Sequence, residues 1–340
     1  MRGLGQGAPH EPAETHTGSY RLSPHARNAA ERAAYLSNAQ QAALDLLYVA
    51  NPAPFERLKQ LVAPDDDLLK RVLDSAGEKT RALAALLFQR YNISAGVQVA
   101  SGSVITEITR VVQDKHSDLL VCGAKGQSVA RRLLLGSTVQ KMLNHMPCPL
   151  LVVKPAPRAT YRTVLVPVDF SPASLRAIKL ARAIAPQAEI ILLHVYEAPF
   201  EGSVRFAHID HDTLTHYRNV IRKDAQAQLA ALSEAAGIAD ARQILEHGDP
   251  GWRIAEQEQE LECDLIVVGK QGASALEELL VGSVTKHVLN ESQCDVLVTP
   301  STQDQAGRPP QGLPSLRVAS PGPAAHPPSI RTGSRWPSPT

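Results

Sequence analysis

The chain has 340 residues and a net charge of +1, with 35 basic against 34 acidic side chains, so no global field draws it to nucleic acid or to an anionic membrane. Its length predicts two domains, each large enough to fold without metal or disulfide staples. The longest apolar runs fall far short of the ~20 residues that span a bilayer, and the N-terminus lacks a signal pattern. These features predict a soluble, cytoplasmic protein whose main partner is neither nucleic acid nor a membrane.

The cysteine pattern argues against metal and disulfide chemistry. The four cysteines lie in or beside apolar runs and form no CxxC pair. We therefore expect no metal site and buried free thiols at Cys122, Cys148, Cys263 and Cys294.

The predicted elements recur twice along the chain. Residues 1–19 carry few large apolar side chains, which predicts a disordered N-terminus. Beyond them, a shift of 146 residues aligns Val49 with Val195, Gly123 with Gly269 and Gly136 with Gly282. The chain is therefore a tandem duplication. We expect one domain over residues 20–157, a second over residues 158–303, and a disordered tail rich in Pro and Ser over residues 304–340.

The second copy shows the order of elements clearly. The strand TVLVPVD is followed by the helix SPASLRAIKLARAIA, the strand EIILLHVYE and a long helix. The strand ARQILEHG, the helix GWRIAEQEQELE, the strand DLIVVG, a helix after Gly282 and the strand DVLVTP complete it. Near-continuous apolar strands separated by helices predict an α/β fold, with two tandem doubly wound domains that each hold a parallel sheet buried on both faces.

The first copy departs from this pattern at its beginning. The order matches from ARNAAERAAYLS onward, but AETHTGSYR stands where the second copy has its leading strand. Ser23-Pro24 aligns with Ser171-Pro172, which places Arg21 opposite Asp169. The first domain is therefore expected to be degenerate, without a clear leading strand, and to be the weaker folding unit because that strand lies centrally in such a sheet.

A glycine pattern follows one strand in each copy. Gly269 ends the strand DLIVVG, Gly272 lies three residues on, and Gly282-Ser283 opens the next helix. Ligands of parallel α/β sheets collect beyond the carboxyl ends of the strands, and a helix start offers unpaired N–H groups to a phosphate. Each glycine taken alone could equally be a strand terminator or a helix cap. The repetition of all three at fixed spacing favours a phosphate site.

This pattern, G-x2-G-x9-G-[ST] after an apolar strand, together with VLVPVDFS at the domain start, resembles the universal stress protein family. The resemblance covers Tyr161 to Pro300, and about Ser23 to Pro155 without the leading strand. It implies a five-stranded, Rossmann-like doubly wound sheet, and the members of the family that carry this motif bind ATP. ATP, with Mg2+ as a candidate companion ion, is therefore the expected ligand.

The resemblance also assigns roles to residues of the second domain. Asp169 would hold the ribose and adenosine side, with a helix-capping aspartate as the alternative. The remaining residues would line the adenine slot (Pro167, Val168), meet the adenine edge (Val195), or wrap the ribose and phosphates (Gly269, Gly272, Gly282, Ser283, Val284). The first domain keeps only the phosphate half of the motif, in Gly123, Gly126, Gly136, Ser137 and Thr138.

No catalytic constellation is evident in the sequence. It has no Walker-type GKT or GKS and no acidic metal pair of the kinase kind. We therefore expect a nucleotide-binding stress or regulatory module that acts through conformation and contact with a protein partner, with at most slow ATP hydrolysis. Two alternatives stay open: an enzyme that transfers phosphate or adenylate from ATP, and an interaction scaffold without nucleotide. The last strands of the two copies are expected to pair within one chain as a pseudo-dimer, and a further homodimer is compatible with this arrangement.

Overall fold

The computed structural model describes residues 23–53, 67–125, 135–196, 211–272, 281–300 and 315–321. The helices in these ranges are α1 (Pro24–Gln40), α2 (Leu68–Tyr91), α3 (Val104–Asp114), α4 (Ser137–Asn144), α5 (Pro172–Ile184), α6 (His211–Ala235), α7 (Pro250–Glu260) and α8 (Ser283–Glu291). The strands are β1 (Ala43–Ala50), β2 (Ala95–Ser101), β3 (Leu119–Gly123), β4 (Leu150–Val153), β5 (Thr163–Pro167), β6 (Glu189–Tyr196), β7 (Arg242–His247), β8 (Leu265–Gly269), β9 (Asp295–Thr299) and β10 (Ser315–Pro321).

The described strands form one continuous sheet in the order β2-β1-β10-β3-β4-β9-β8-β5-β6-β7. Neighbouring strands run parallel except at the middle, where β4 and β9 pair antiparallel, with Leu151 opposite Leu297. Here the first half denotes residues 23–153 together with β10, and the second half denotes residues 163–300. The antiparallel seam relates the two halves as a pseudo-dimer within one chain, which confirms that the last strands pair.

Helices cover both faces of this sheet, and alternate strand residues pack against each layer. One aliphatic core joins the sheet to α1, α2, α5 and α6, and the other joins it to α3, α4, α7 and α8. Along β5, Val164 and Val166 belong to the first core and Leu165 to the second. The predicted α/β fold with parallel, Rossmann-type halves in tandem is therefore confirmed.

The first helix of each half begins after a Ser-Pro pair. Ser23 precedes Pro24, and its Oγ accepts a hydrogen bond of 3.1 Å from the amide of Ala26. Ser171 likewise precedes Pro172 at the start of α5. Proline suits the first helical position because its fixed φ and missing N–H cost nothing there. The Ser-Pro pair therefore marks the start of the first helix in each half.

The four cysteines are buried and unbridged, as the sequence predicts. Burial raises the pKa of Cys122 and of Cys148 to about 12, so both thiols stay protonated at neutral pH. Within the described residues no helix has the length and apolar character needed to span a membrane.

The position of the missing leading strand is filled from the other end of the chain. Strand β10 lies between β1 and β3, as β5 lies between β6 and β8 in the second half. The expectation of a disordered tail over residues 304–340 is therefore wrong for residues 315–321. The short apolar alternation in SLRVASP, within a segment rich in Pro and Gly, is too weak a signal to predict a strand. This segment is stable as a strand because it pairs with β1 on one side and β3 on the other.

Candidate functional site

Asp169 lies just beyond β5, at the carboxyl edge of the second half. Its Oδ1 accepts hydrogen bonds from the amide of Ser171 at 3.1 Å, from Ser171 Oγ at 2.6 Å and from Ser174 Oγ at 2.7 Å. Phe170, between these residues, has a positive φ of 62°. Ser171, not Asp169, is the N-cap residue of α5, so this oxygen orders the turn just before the helix.

The second carboxylate oxygen of Asp169 faces the glycine pattern. A Cβ placed on Gly272 would lie 2.5 Å from Asp169 Oδ2, closer than such an atom can come. The absence of a side chain at position 272 therefore lets the loop after β8 approach the end of β5. One carboxylate thus orders the start of α5 through one oxygen and meets the glycine loop with the other.

The other glycines of the pattern sit where β8 ends and α8 begins. The carbonyl of Gly269 accepts a hydrogen bond of 2.7 Å from Thr285 Oγ1, which ties the strand end to the first turn of α8. The amide of Gly282 donates to the carbonyl of Lys270 at 2.9 Å. Gly282 is the N-cap residue of α8 and makes no side-chain cap, so the helix start carries backbone donors and the positive end of its dipole. Ser283, the next residue, is exposed.

The predicted adenine side is built from the ends of β5 and β6. Val168 is buried, while Pro167 and Val195 are half-buried. The amide of Val168 donates to the carbonyl of Leu193 at 2.9 Å, and its carbonyl lies 2.8 Å from His194 Nδ1. The backbone groups of Val168 are therefore occupied by β6, and its side chain packs in the first of the two cores.

Sequence reasoning missed one pair of rings at this edge. The rings of Phe170 and His194 lie 4.2 Å apart between centroids, with an interplanar angle of 36°. His194 thus contacts both the carbonyl of Val168 and the ring of Phe170. Both residues lie near the carboxyl ends of neighbouring strands, but the positive φ of Phe170, on which its ring position depends, has no signal in the sequence.

Lys270 lies between the motif glycines Gly269 and Gly272. The structure shows it almost fully buried, with Nζ 3.3 Å from the carbonyl of Asn144 in the first half. It therefore reaches across to α4 and takes part in the contact between halves.

The first half presents a more crowded edge. A Cβ on Gly123 would lie 2.5 Å from the carbonyl oxygen of His25, whereas a Cβ on Gly269 would lie 3.0 Å from the Cβ of Ala173. Gly136 is buried, whereas its counterpart Gly282 is half-buried. Gly123 therefore serves the close packing of α1 against β3.

The rest of the first-half pattern is only partly described. Ser137 and Thr138 begin α4 as expected, while Gly126 and Arg21 lie outside the described residues. Pro321 pairs with Val49 in the sheet register. Continuing the register of β5 by two residues would place Asp169 opposite Val195, the counterpart of Val49. At the described strand edge, the first half thus has a proline where the second half has its carboxylate.

Comparison with known proteins identifies the class to which this fold and edge belong. A sequence profile described as the universal stress protein family matches residues 20–154 and again residues 160–300. The chain belongs to the universal stress protein family, with two such domains in tandem.

Individual relatives agree with this assignment. The chain is 31% identical over 141 residues to a universal stress protein of Methanocaldococcus jannaschii, which covers 41% of this chain and 81% of that protein. It is 32% identical over 145 residues to the universal stress protein YxiE of Bacillus subtilis, covering 41% of this chain and 98% of YxiE. A crystal structure of a universal stress protein from Archaeoglobus fulgidus superimposes with a TM-score of 0.60 at 20% identity, over 82% of this chain and 95% of that one, which supports the fold.

Proposed function

We propose that this protein binds one ATP molecule per chain, in the second half, and acts as a stress-response or regulatory module through conformation and partner contacts. The observation that carries the proposal is the meeting of Asp169 Oδ2 with Gly272, since it joins the end of β5 to the glycine loop of β8 at one edge. A site for a nucleoside triphosphate needs a carboxylate for the ribose side and backbone donors for the phosphates, within one ligand's length of each other.

The residues of the second half fit such a ligand. Gly272 lets the loop after β8 approach Asp169, and Gly282 leaves room at the start of α8. The N-terminus of α8 adds donors and a positive dipole for the phosphates. Ser283 adds an exposed hydroxyl at the same point. Asp169 would accept from the ribose hydroxyls, and Val168 and Val195 would bound the base. Mg2+ would accompany the phosphates as part of the ligand.

The first half is proposed not to bind nucleotide in this way. Its edge offers Pro321 in place of a carboxylate, and the backbone of His25 occupies the space next to Gly123. Burial and the neighbouring Lys125 lower the pKa of His25, so at neutral pH the ring adds no positive charge that could compensate. In the first half, the contacts to the ribose side and the contacts to the phosphates are therefore both weakened.

Calorimetric titration of the full chain with MgATP tests the proposal. We expect a stoichiometry near one. A Cβ on Gly282 would meet its nearest neighbour at 3.5 Å, an ordinary contact, so Gly282→Val should fold and yet lose binding because its branched side chain covers the donors of α8. Gly136→Val is the matched variant of the first half and should keep the affinity of the parent, with circular dichroism verifying that each variant is folded.

Two equal sites per chain, or loss of binding with Gly136→Val alone, would contradict the assignment to the second half. Nucleotide released from the purified, denatured protein and identified by chromatography gives an independent measure, and the absence of binding in both experiments would favour a scaffold without nucleotide. Multiple rapid turnovers of ATP in the same samples would instead favour an enzyme.

A further inference from the structure

The strand that completes the first half differs in chemistry from its counterpart in the second half. At the centre of the second half, three apolar side chains occupy the positions where β5 meets β6 and β8. In the register of the sheet, and with the shift of 146 residues between the copies, polar side chains replace them in the first half: Arg317 for Leu165, Asp45 for Ile191 and Ser117 for Cys263.

These three polar residues contact one another. Arg317 is 2% exposed; its Nη2 donates to Asp45 Oδ2 at 2.7 Å, and its Nε donates to Ser117 Oγ at 2.6 Å. A guanidinium in such surroundings discriminates between partners, because a lysine or an apolar side chain cannot reach both acceptors. These contacts therefore select for arginine at position 317 of β10.

The neighbouring strand also makes room for this pair. Gly96 of β2 lies opposite Asp45, and a Cβ at this glycine would overlap the carboxylate. The equivalent residue in the second half is Arg242, opposite Ile191. Asp45 and Gly96 thus accommodate an arginine that comes from a remote part of the chain.

Strand β10 is held to the first half by main-chain pairing on both sides and by the contacts of Arg317. Seven of its residues pair with β1 and three with β3, yet its chain connection runs back through residues 300–314 to β9 of the second half. It can therefore leave the cleft between β1 and β3 without any change within the strands of the second half. Main-chain pairing gives such an added strand its affinity, and a side-chain contact gives it selectivity.

We propose that the cleft between β1 and β3 is a peptide-binding site for an extended segment with arginine at the position of Arg317, and that its occupant is the chain's own residues 315–321, docked reversibly. When this segment leaves, Asp45 faces the cleft without its charge partner, which favours an arginine-bearing strand over an apolar one. The tether keeps the local concentration of the segment high, so the docked state dominates in the intact chain.

The test uses the full chain with a site-specific protease sequence inserted after Asp304. The protein is folded and cleaved, and gel filtration then shows whether the released C-terminal fragment travels with the body of the protein. We expect the fragment to co-elute, and a fluorescent synthetic peptide of residues 312–324 to replace it in a concentration-dependent manner. The exchange reports binding to the cleft without any substitution in the protein.

Variant peptides then measure what the cleft recognises. An Arg317→Ala peptide and an Arg317→Lys peptide should compete about 10- to 100-fold less well than the parent peptide, since each loses hydrogen bonds to a charged group. In the cleaved protein with Asp45→Leu, the preference should invert, so that an Arg317→Leu peptide, which restores the pairing seen between Leu165 and Ile191, competes better than the parent.

As a control, a full-length tail peptide of residues 312–340 that carries Arg331→Ala should bind like its unsubstituted parent, because position 331 lies outside the strand. Three outcomes would overturn the proposal: immediate separation of the cleaved fragment from the body, equal competition by the parent and Arg317→Ala peptides, or labelled peptide that binds but leaves the amide exchange of β1 unchanged. A fragment found only in dimers of the cleaved protein would show that a second copy supplies the strand and would overturn docking within one chain.

Discussion

A buried ion pair joins the two halves beside the seam, and replacing its arginine should destabilise the whole sheet. Asp295 at the start of β9 is fully buried; its Oδ2 accepts from Arg32 Nε of α1 at 2.9 Å and from the Tyr161 hydroxyl at 2.8 Å, and its Oδ1 accepts from the amide of Lys154 at 2.9 Å. The guanidinium also lies 4.2 Å from the centroid of the Tyr161 ring. The variant Arg32→Met removes the positive charge and keeps most of the apolar stem.

Removing one partner of a buried pair costs about 3 to 5 kcal/mol, because the remaining charge stays buried without compensation. This is a large share of the ~5 to 15 kcal/mol by which a domain is stable. Replacing both partners is expected to cost much less, since no buried charge remains. We therefore predict that Arg32→Met lowers the free energy of unfolding by about 3 to 5 kcal/mol and that the double variant Arg32→Met, Asp295→Asn recovers most of that loss.

The pH dependence of the free energy of unfolding provides a second test of the same ion pair. Burial raises the pKa of Asp295 above its ordinary value even with Arg32 beside it, and removal of Arg32 raises this pKa further. A carboxyl with a higher pKa in the folded than in the unfolded state makes the folded state bind the extra proton, so stability falls as pH rises through that interval. The deficit of Arg32→Met should therefore shrink as the pH is lowered from neutral toward the pKa of the unfolded carboxyl.

Urea denaturation followed by circular dichroism, at several pH values, measures these differences. Arg90→Met is the matched control, because its ion pair with Glu31 leaves the arginine 65% exposed, and no change in the midpoint is expected. A loss below about 1 kcal/mol for Arg32→Met, or a double variant as unstable as the single one, would refute the argument that the charge at Asp295 depends on Arg32.

Two further predictions concern the same seam. Leu151 is fully buried opposite Leu297, so Leu151→Asp should lower the free energy of unfolding by more than about 3 kcal/mol, whereas Leu151→Met should cost less than about 1.5 kcal/mol; equal urea midpoints would contradict this. Burial lowers the pKa of Lys154, whose Nζ donates to Ser292, from 10.5 to about 8, so the folded state binds fewer protons between these values and stability should rise with pH there. Relative to Lys154→Met, the parent should gain roughly 3 kcal/mol from pH 8 to pH 10.5, and parallel pH profiles would count against a buried amine.

The sequence was informative wherever a pattern repeats. Aliphatic strand runs such as LLVCG and LIVVG, and the shift of 146 residues between the copies, were enough to predict the parallel α/β halves. The glycines and Asp169 could be placed at one edge because a parallel sheet brings all its strand ends together. Only the structure shows how one carboxylate divides its oxygens between the turn before α5 and the glycine loop, since both roles need the same residue at the same position.

The sequence failed where a contact joins distant segments. Asp45 is the one acid in the apolar strand ALDLLYVA, and nothing local in the sequence indicates that Arg317 would meet it. Residues 315–321 become a strand because β1 and β3 together supply partners for their backbone, a tertiary effect that propensity does not contain. A separate fragment of residues 20–157 is still expected to be less stable than the second domain, but the reason changes. Such a fragment lacks β10 as well as the second half.

The ion pair at the seam also bears on which halves can pair. The alignment of the two Ser-Pro pairs matches Arg32 with Leu180, and the shift of 146 residues matches Asp295 with Pro149. Two second halves that paired with each other through β9 would therefore bury two copies of Asp295, each facing a leucine where the intact chain provides Arg32. Because an unpaired buried carboxylate is costly, this asymmetry favours pairing of a first half with a second half over pairing of like halves. The tandem chain thus pairs its own unlike halves at the seam.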